Sequence, residues 1–120
     1  MVAVARFVDS SACSTEEEAI DVAHLARMTM GERSLEREVL ALFGRQADML
    51  LPRIRQGAPA VAAASVHTLK GSAAGIGAFK VARAAEAVEQ AKDSAATAAI
   101  DTLAALLEEA KAEIARLLSK

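Results

Sequence analysis

The 120-residue chain has no Trp or Tyr, two Pro, a single Cys (Cys13) and only three Phe (Phe7, Phe43 and Phe79). One thiol cannot close an internal disulfide and has no second Cys beside it, which excludes a disulfide scaffold and a Cys-rich zinc site and fits a reducing compartment. Long apolar runs are also missing. Nothing approaches the roughly 18 to 20 residues that span a bilayer, and Met1–Arg6 lacks the charged start and apolar stretch of a signal peptide. The expectation is a cytoplasmic protein with no membrane partner. Nor is there an excess of basic charge: 14 Lys and Arg stand against 16 Asp and Glu, a formal charge of −2. The positive footprint that nucleic-acid binding requires is not there, so no nucleic-acid partner is expected.

What the chain does have is alanine. Thirty residues are Ala and 53% are hydrophobic, so the best helix former is abundant where strand formers are scarce, and the fold class expected is all-α. A chain of this length closes one hydrophobic core and no more.

Residues 1–13 show no sustained periodicity and read as a flexible or loosely docked N-terminal tail ahead of a helical domain over 14–120. Ser14 and Glu17 have capping-box spacing, predicting a short helix through Ile20, Ala23, Ala26 and Arg27 that Gly31 interrupts. A second helix starts between Gly31 and Ser34 and carries Leu35, Val39, Leu42, Phe43, Leu50 and Ile54 inward, with a kink or break at Pro52. Arg33, Arg37 and Arg45 read either as a wet helix face or as a partner-facing patch.

Gly57 has the position of a C′ residue and Pro59 that of a first-turn residue, so a third helix runs from Pro59 to Ala74 or Ile76. A fourth spans Phe79 to Lys92. After a polar connection at Asp93–Thr97, Ile100, Leu103, Leu107, Ala110, Ile114 and Leu117 recur at three and four residues as a bundle seam. Short connections between long helices predict an up-down-up-down four-helix bundle with a short extra N-terminal helix. The seam is needed inside it, so a monomer is expected. Met28, Met30 and Met49 read as core filling and helix-junction packing, and His24 as a cap or a solvent-facing group.

The third helix carries the chemistry. At about 100° per residue, Val66, Leu69, Ala73 and Ile76 form a buried stripe and His67 points nearly the opposite way. Ala60, Ala63, Ala64, Gly71 and Ala74 surround it. A surface helix normally fills this face with Glu, Lys and Arg; here it is flat and nearly uncharged, as close approach by a partner requires. Gly71, one turn beyond His67, sits where glycine costs about 1 kcal/mol relative to alanine, and it opens access to the imidazole. Lys70, at i+3, can place an ammonium beside an anion formed on His67. Ser72 points away and reads as a packing residue.

The run His67-Thr68-Leu69-Lys70-Gly71-Ser72-Ala73-Ala74-Gly75-Ile76-Gly77 resembles the signature of histidine-containing phosphotransfer (HPt) domains, His-x-Leu-Lys-Gly-Ser followed by small residues and a Gly. The resemblance extends over roughly Ile20 to Leu118. It implies a four-helix bundle with the phosphorylated histidine exposed midway along one helix. It also implies a protein that carries a phosphoryl group between receiver-domain aspartates of response regulators and hybrid histidine kinases, with no ATP hydrolysis. Carried over, His67 is the phosphoacceptor, Lys70 the phosphate-stabilising cation and Gly71 the residue that clears space, while Ala60, Ala63, Ala64 and Ala74 form the receiver-docking face. Some relatives hold the histidine with a Gln from the next helix; the position here is Glu89, with Gln90 adjacent, and these two are the candidates for supporting the imidazole.

There is no Gly-x-x-x-x-Gly-Lys loop, no kinase-type nucleotide site and no acidic metal pattern. No bound cofactor and no metal site are therefore expected, with Mg²⁺ supplied by the receiver domain. The alternative is a helical adaptor that docks receiver domains without phosphoryl transfer. A phosphatase or di-metal bundle would need Glu-x-x-His spacing, which the sequence does not contain.

Overall fold

A computed structural model describes residues 17–120. The expected tail, Cys13 and Ser14 lie outside them. The described residues form five α-helices: α1 (Val22–Met28), α2 (Arg33–Gln56), α3 (Pro59–Ile76), α4 (Phe79–Gln90) and α5 (Ser94–Leu118).

α1 begins later than the Ser14–Glu17 pattern predicts. Its N-cap is Asp21, whose carboxylate accepts from the His24 N–H at 3.0 Å, and Glu17 pairs instead with Arg83 on α4. A carboxylate that meets a free backbone N–H fixes a helix start more tightly than spacing alone. The helix ends at Thr29, whose buried hydroxyl donates to the Leu25 carbonyl at 3.0 Å. Gly31 (φ 74°) then turns the chain into α2.

α2 runs through Pro52 as one helix. Its inner face is Leu40, Phe43, Ala47, Leu50 and Ile54, all buried. Leu35 and Leu42 are not part of it: they are exposed, because the buried face is centred on Phe43–Ala47–Leu50 and lies more than a quarter turn away from both. Met28, Met30 and Met49 are exposed as well, so they do not fill the core. His24 is neither solvent-facing nor a side-chain cap, since its ring packs edge-on against Phe79 with centroids 5.0 Å apart and its Nε2 is shut away from water.

Gly57 closes α2 with φ −74°, so it is not a left-handed C′ residue. Glycine fits there because a Cβ would stand 2.5 Å from the Arg53 carbonyl oxygen. Pro59 opens α3, where its missing N–H leaves no bond unmade. α3 ends on Gly77 in the left-handed conformation (φ 87°), and the Gly77 carbonyl accepts from the Asp21 N–H at 2.9 Å, docking the entry to α1 against the α3–α4 turn. α4 stops two residues before Lys92. α5 starts at Ser94, inside the expected connection, and the actual link is Ala91–Asp93 with Asp93 at φ 55°.

α3 packs between α2 and α4, and α5 packs against α4 and α2, closing a ring of four helices. The end of α2, the start of α3, the end of α4 and the start of α5 gather around one groove lined by Ile54, Pro59, Val66, Val88, Ala91 and Ile100. The start of α2 meets the end of α5 at the other end of the bundle. Successive helices of the ring thus run in opposite directions. Val66, Leu69, Ala73 and Ile76 from α3, Val81 and Ala85 from α4, and Leu103, Leu107, Ala110 and Ile114 from α5 complete the core. Each fully buried Leu or Ile contributes about 1.5–3 kcal/mol, and the alanines let the helix axes approach.

Candidate functional site

With the buried stripe of α3 locked against α2 and α4, the opposite face is held outward. The His67 side chain is 78% exposed. Ser65 is buried beside Val66 and its hydroxyl donates to the Val61 carbonyl at 2.8 Å, a contact that the periodicity of α3 does not announce.

Ala60, Ala63, Ala64 and Gly71 are exposed around His67, and Ala74 is half-buried at the edge of the same face. A Cβ built on Gly71 would meet nothing within 4 Å. The glycine is not demanded by packing inside the chain; a larger side chain there would project into the space in front of the helix.

Glu89 reaches across from α4 and joins the site. Its Oε1 accepts from Lys70 Nζ at 2.7 Å, and its Oε2 stands 3.6 Å from His67 Nδ1, just beyond direct hydrogen-bond range. The hydrogen bond from Lys70 holds the Glu89 carboxyl below its ordinary range, with His67 adding to the effect, and the same bond raises the Lys70 ammonium. The three side chains form a row in which one carboxylate faces both an ammonium and an imidazole nitrogen. Gln90 is not part of it. Its amide donates to Glu86 at 3.3 Å one turn back on α4, because adjacent residues on a helix diverge by about 100°.

Chemically, a carboxylate beside Nδ1 favours the tautomer with the proton on that nitrogen and leaves the Nε2 lone pair toward solvent. The arrangement presents a nucleophile without a buried base. Among the described residues no three His, Cys, Asp or Glu side chains converge as metal ligands. No described helix is long and apolar enough to cross a membrane.

An exposed histidine on a small-residue face of an antiparallel helical bundle defines a phosphotransfer-type module. The family model of the Hpt domain matches residues 38–118, and the chain belongs to that family. Among solved structures it is similar to the histidine phosphotransferase ShpA from Caulobacter crescentus, with 31% identity, a TM-score of 0.69, and coverage of 82% of this chain and 89% of that one. No curated protein matches it. Hpt domains carry phosphoryl groups in phosphorelays and interact with receiver domains of two-component systems, so the adaptor alternative is not favoured.

Proposed function

We propose that this chain carries the phosphoryl group on His67, taking it from the aspartyl phosphate of one receiver domain and giving it to the aspartate of another. The observation that carries the reading is the outward imidazole with the Glu89 carboxylate at its Nδ1 side.

In the forward step the Nε2 lone pair attacks phosphorus in line with the acyl phosphate oxygen. The N–P bond forms as the O–P bond breaks, and the receiver aspartate leaves as carboxylate. The ring keeps its proton on Nδ1 and acquires positive charge, which Glu89 stabilises. Lys70 lies one turn along and can turn from Glu89 toward the incoming phosphoryl oxygens. Transfer outward is the reverse of this step with a second receiver. Mg²⁺ is supplied by the receiver, whose own carboxylates hold it, and no nucleotide is used by this chain. The chain acts as a monomer, and Ala60, Ala63, Ala64 and Gly71 let the receiver surface come close.

Incubation with a receiver domain phosphorylated on its aspartate, in the presence of Mg²⁺, tests this. Acid-labile label is expected on His67 and none on the His67→Gln protein. Transfer that continues unchanged in His67→Gln overturns the assignment.

A further inference from the structure

Arg33 and Arg37, which the sequence leaves between a wet helix face and a partner-facing patch, stand at the end of the bundle away from the Glu89 groove. Arg37 lies eighteen residues before Arg55, about five full turns, so both leave α2 on the flank where Arg55 reaches Asp101 of α5 at 3.0 Å. There α1, the start of α2 and the end of α5 surround a pit of about 160 Å³. Leu25 and Leu40, both buried, form its floor, and Val22, 43% exposed, stands at its rim. Arg33, Arg37 and Lys120 are exposed around the mouth. Glu36 is the one carboxylate in the lining, and its Oε2 accepts from the Thr29 hydroxyl at 3.1 Å. The three cations set the pit apart. In the α2–α5 groove, Arg55 pairs with Asp101 and Lys111 with Asp48 and Glu108; between α4 and α5, Lys80 pairs with Glu109 at 2.6 Å and Arg116 with Glu113. Arg33, Arg37 and Lys120 have no carboxylate partner among the described residues.

We propose that this pit is a second docking site, occupied by an acidic segment of a partner protein that seats one large apolar side chain on Leu25 and Leu40 and lays carboxylates against Arg33, Arg37 and Lys120. Size and charge select the occupant. The pit is smaller than the 300 Å³ or so at which small-molecule sites begin, and it suits a single anchoring side chain. Unpaired cations around an apolar floor are matched by an apolar anchor flanked by carboxylates. A second copy of the chain placed symmetrically here would set the same cations against each other. The site is also separate from the one on α3. Because α2 and α3 reverse at Gly57–Ala58, His67 is level with the middle of α2. Arg37 stands roughly 16 Å beyond that level at 1.5 Å per residue, on the flank that faces α5. The pit is thus open while a receiver domain meets His67, and its occupant does not depend on what His67 does.

The test titrates the isotope-labelled full chain, followed by NMR, with the end-blocked peptide Glu-Asp-Phe-Glu-Asp. Saturable shifts of the Leu25, Arg33 and Arg37 amides are expected. The half-maximal peptide concentration is expected to rise about tenfold in Arg33→Glu and in Arg37→Glu, and again when Ser replaces Phe in the peptide. It is expected to stay put in Arg45→Glu, an exposed arginine of α2 outside the pit. Arg33→Gln and Arg37→Gln replace either variant that loses helical content. Absence of saturable shifts overturns the proposal, as does an unchanged half-maximal concentration in the Arg33 and Arg37 variants. Slower labelling of His67 by a phosphorylated receiver domain in Arg37→Glu assigns these cations to the receiver and also overturns it. Co-sedimentation with phosphatidylglycerol vesicles in place of peptide binding, lost in Arg37→Glu, assigns the pit to a lipid surface and overturns it as well.

Discussion

Lys70 Nζ stands 2.7 Å from Glu89 Oε1, so the cation nearest His67 is held by a carboxylate on the neighbouring helix before any phosphoryl group arrives. The ammonium then has two places to be, on Glu89 or on phosphate oxygens, and the same carboxylate also faces His67 Nδ1. On the reading proposed above, Glu89 acts on both ends of the reaction, facing the imidazole and competing for the cation.

Substituting Glu89 separates these effects. Glu89→Gln keeps an oxygen acceptor for Nδ1–H but releases Lys70, and the phosphohistidine is expected to live longer. Glu89→Ala removes the acceptor as well and slows labelling of His67 by about a hundredfold, the lower end of what a positioned proton partner contributes. Lys70→Ala shortens the phosphohistidine lifetime with helical content unchanged, because the pair is at the surface. Lifetimes from label decay and initial rates of labelling check all three; equal values across the set would remove both roles.

The carboxyl of Glu89 is held below its ordinary value of 4.5, first by the hydrogen bond from Lys70. A carboxylate with a lowered folded-state value contributes stability that is present above the unfolded value and is lost as pH falls through the lowered one. The Lys70–Glu89 link therefore persists through neutral and mildly acidic conditions and opens only below about 4.5. NMR titration of the Glu89 side-chain carbon is expected to give a midpoint below 4.5 that moves upward in Lys70→Ala.

Gly71 offers a case in which stability and activity part. A Cβ there meets nothing within 4 Å, so Gly71→Ala should stabilise the fold by about 0.5–1 kcal/mol through helix propensity. Gly71→Gln should also fold, yet slow transfer from a receiver domain because the longer side chain stands in front of the helix beside His67. Thermal unfolding and phosphotransfer rates measured on the same samples check the pair.

Gly77 has no such freedom. Its φ of 87° is left-handed and an added Cβ would lie 2.7 Å from the Asp21 carbonyl oxygen, so Gly77→Ala should destabilise by about 1–3 kcal/mol and loosen α1. Hydrogen exchange of the Asp21 amide, which donates to the Gly77 carbonyl, reports the loosening directly.

Much of the site was legible in sequence because helix periodicity is a local property. Four apolar positions, Val66, Leu69, Ala73 and Ile76, fix which way α3 faces, and everything about the exposure of His67 and Gly71 follows from them. The motif then restricts the chemistry. Errors arose where a neighbouring helix decides. Leu42 and Met49 look like core residues on a wheel of α2 alone and become surface once Phe43, Ala47 and Leu50 take the contacts with the rest of the bundle. His24 packs against Phe79 for the opposite reason: nothing within α1 announces that ring. The start of α1 differs from the Ser14–Glu17 expectation because the Asp21 carboxylate takes the His24 N–H.

The amino-acid order by itself determined an all-helical chain, a histidine turned outward on a face of methyl groups, and a lysine and a glycine within one turn of it, because spacing along one helix needs no knowledge of any other. Tertiary structure alone decided that Glu89 and not Gln90 reaches that histidine, and that Lys70 spends its charge on Glu89. Those relations depend on how two helices are rotated and offset against each other, and that rotation is set by the packing of the whole core.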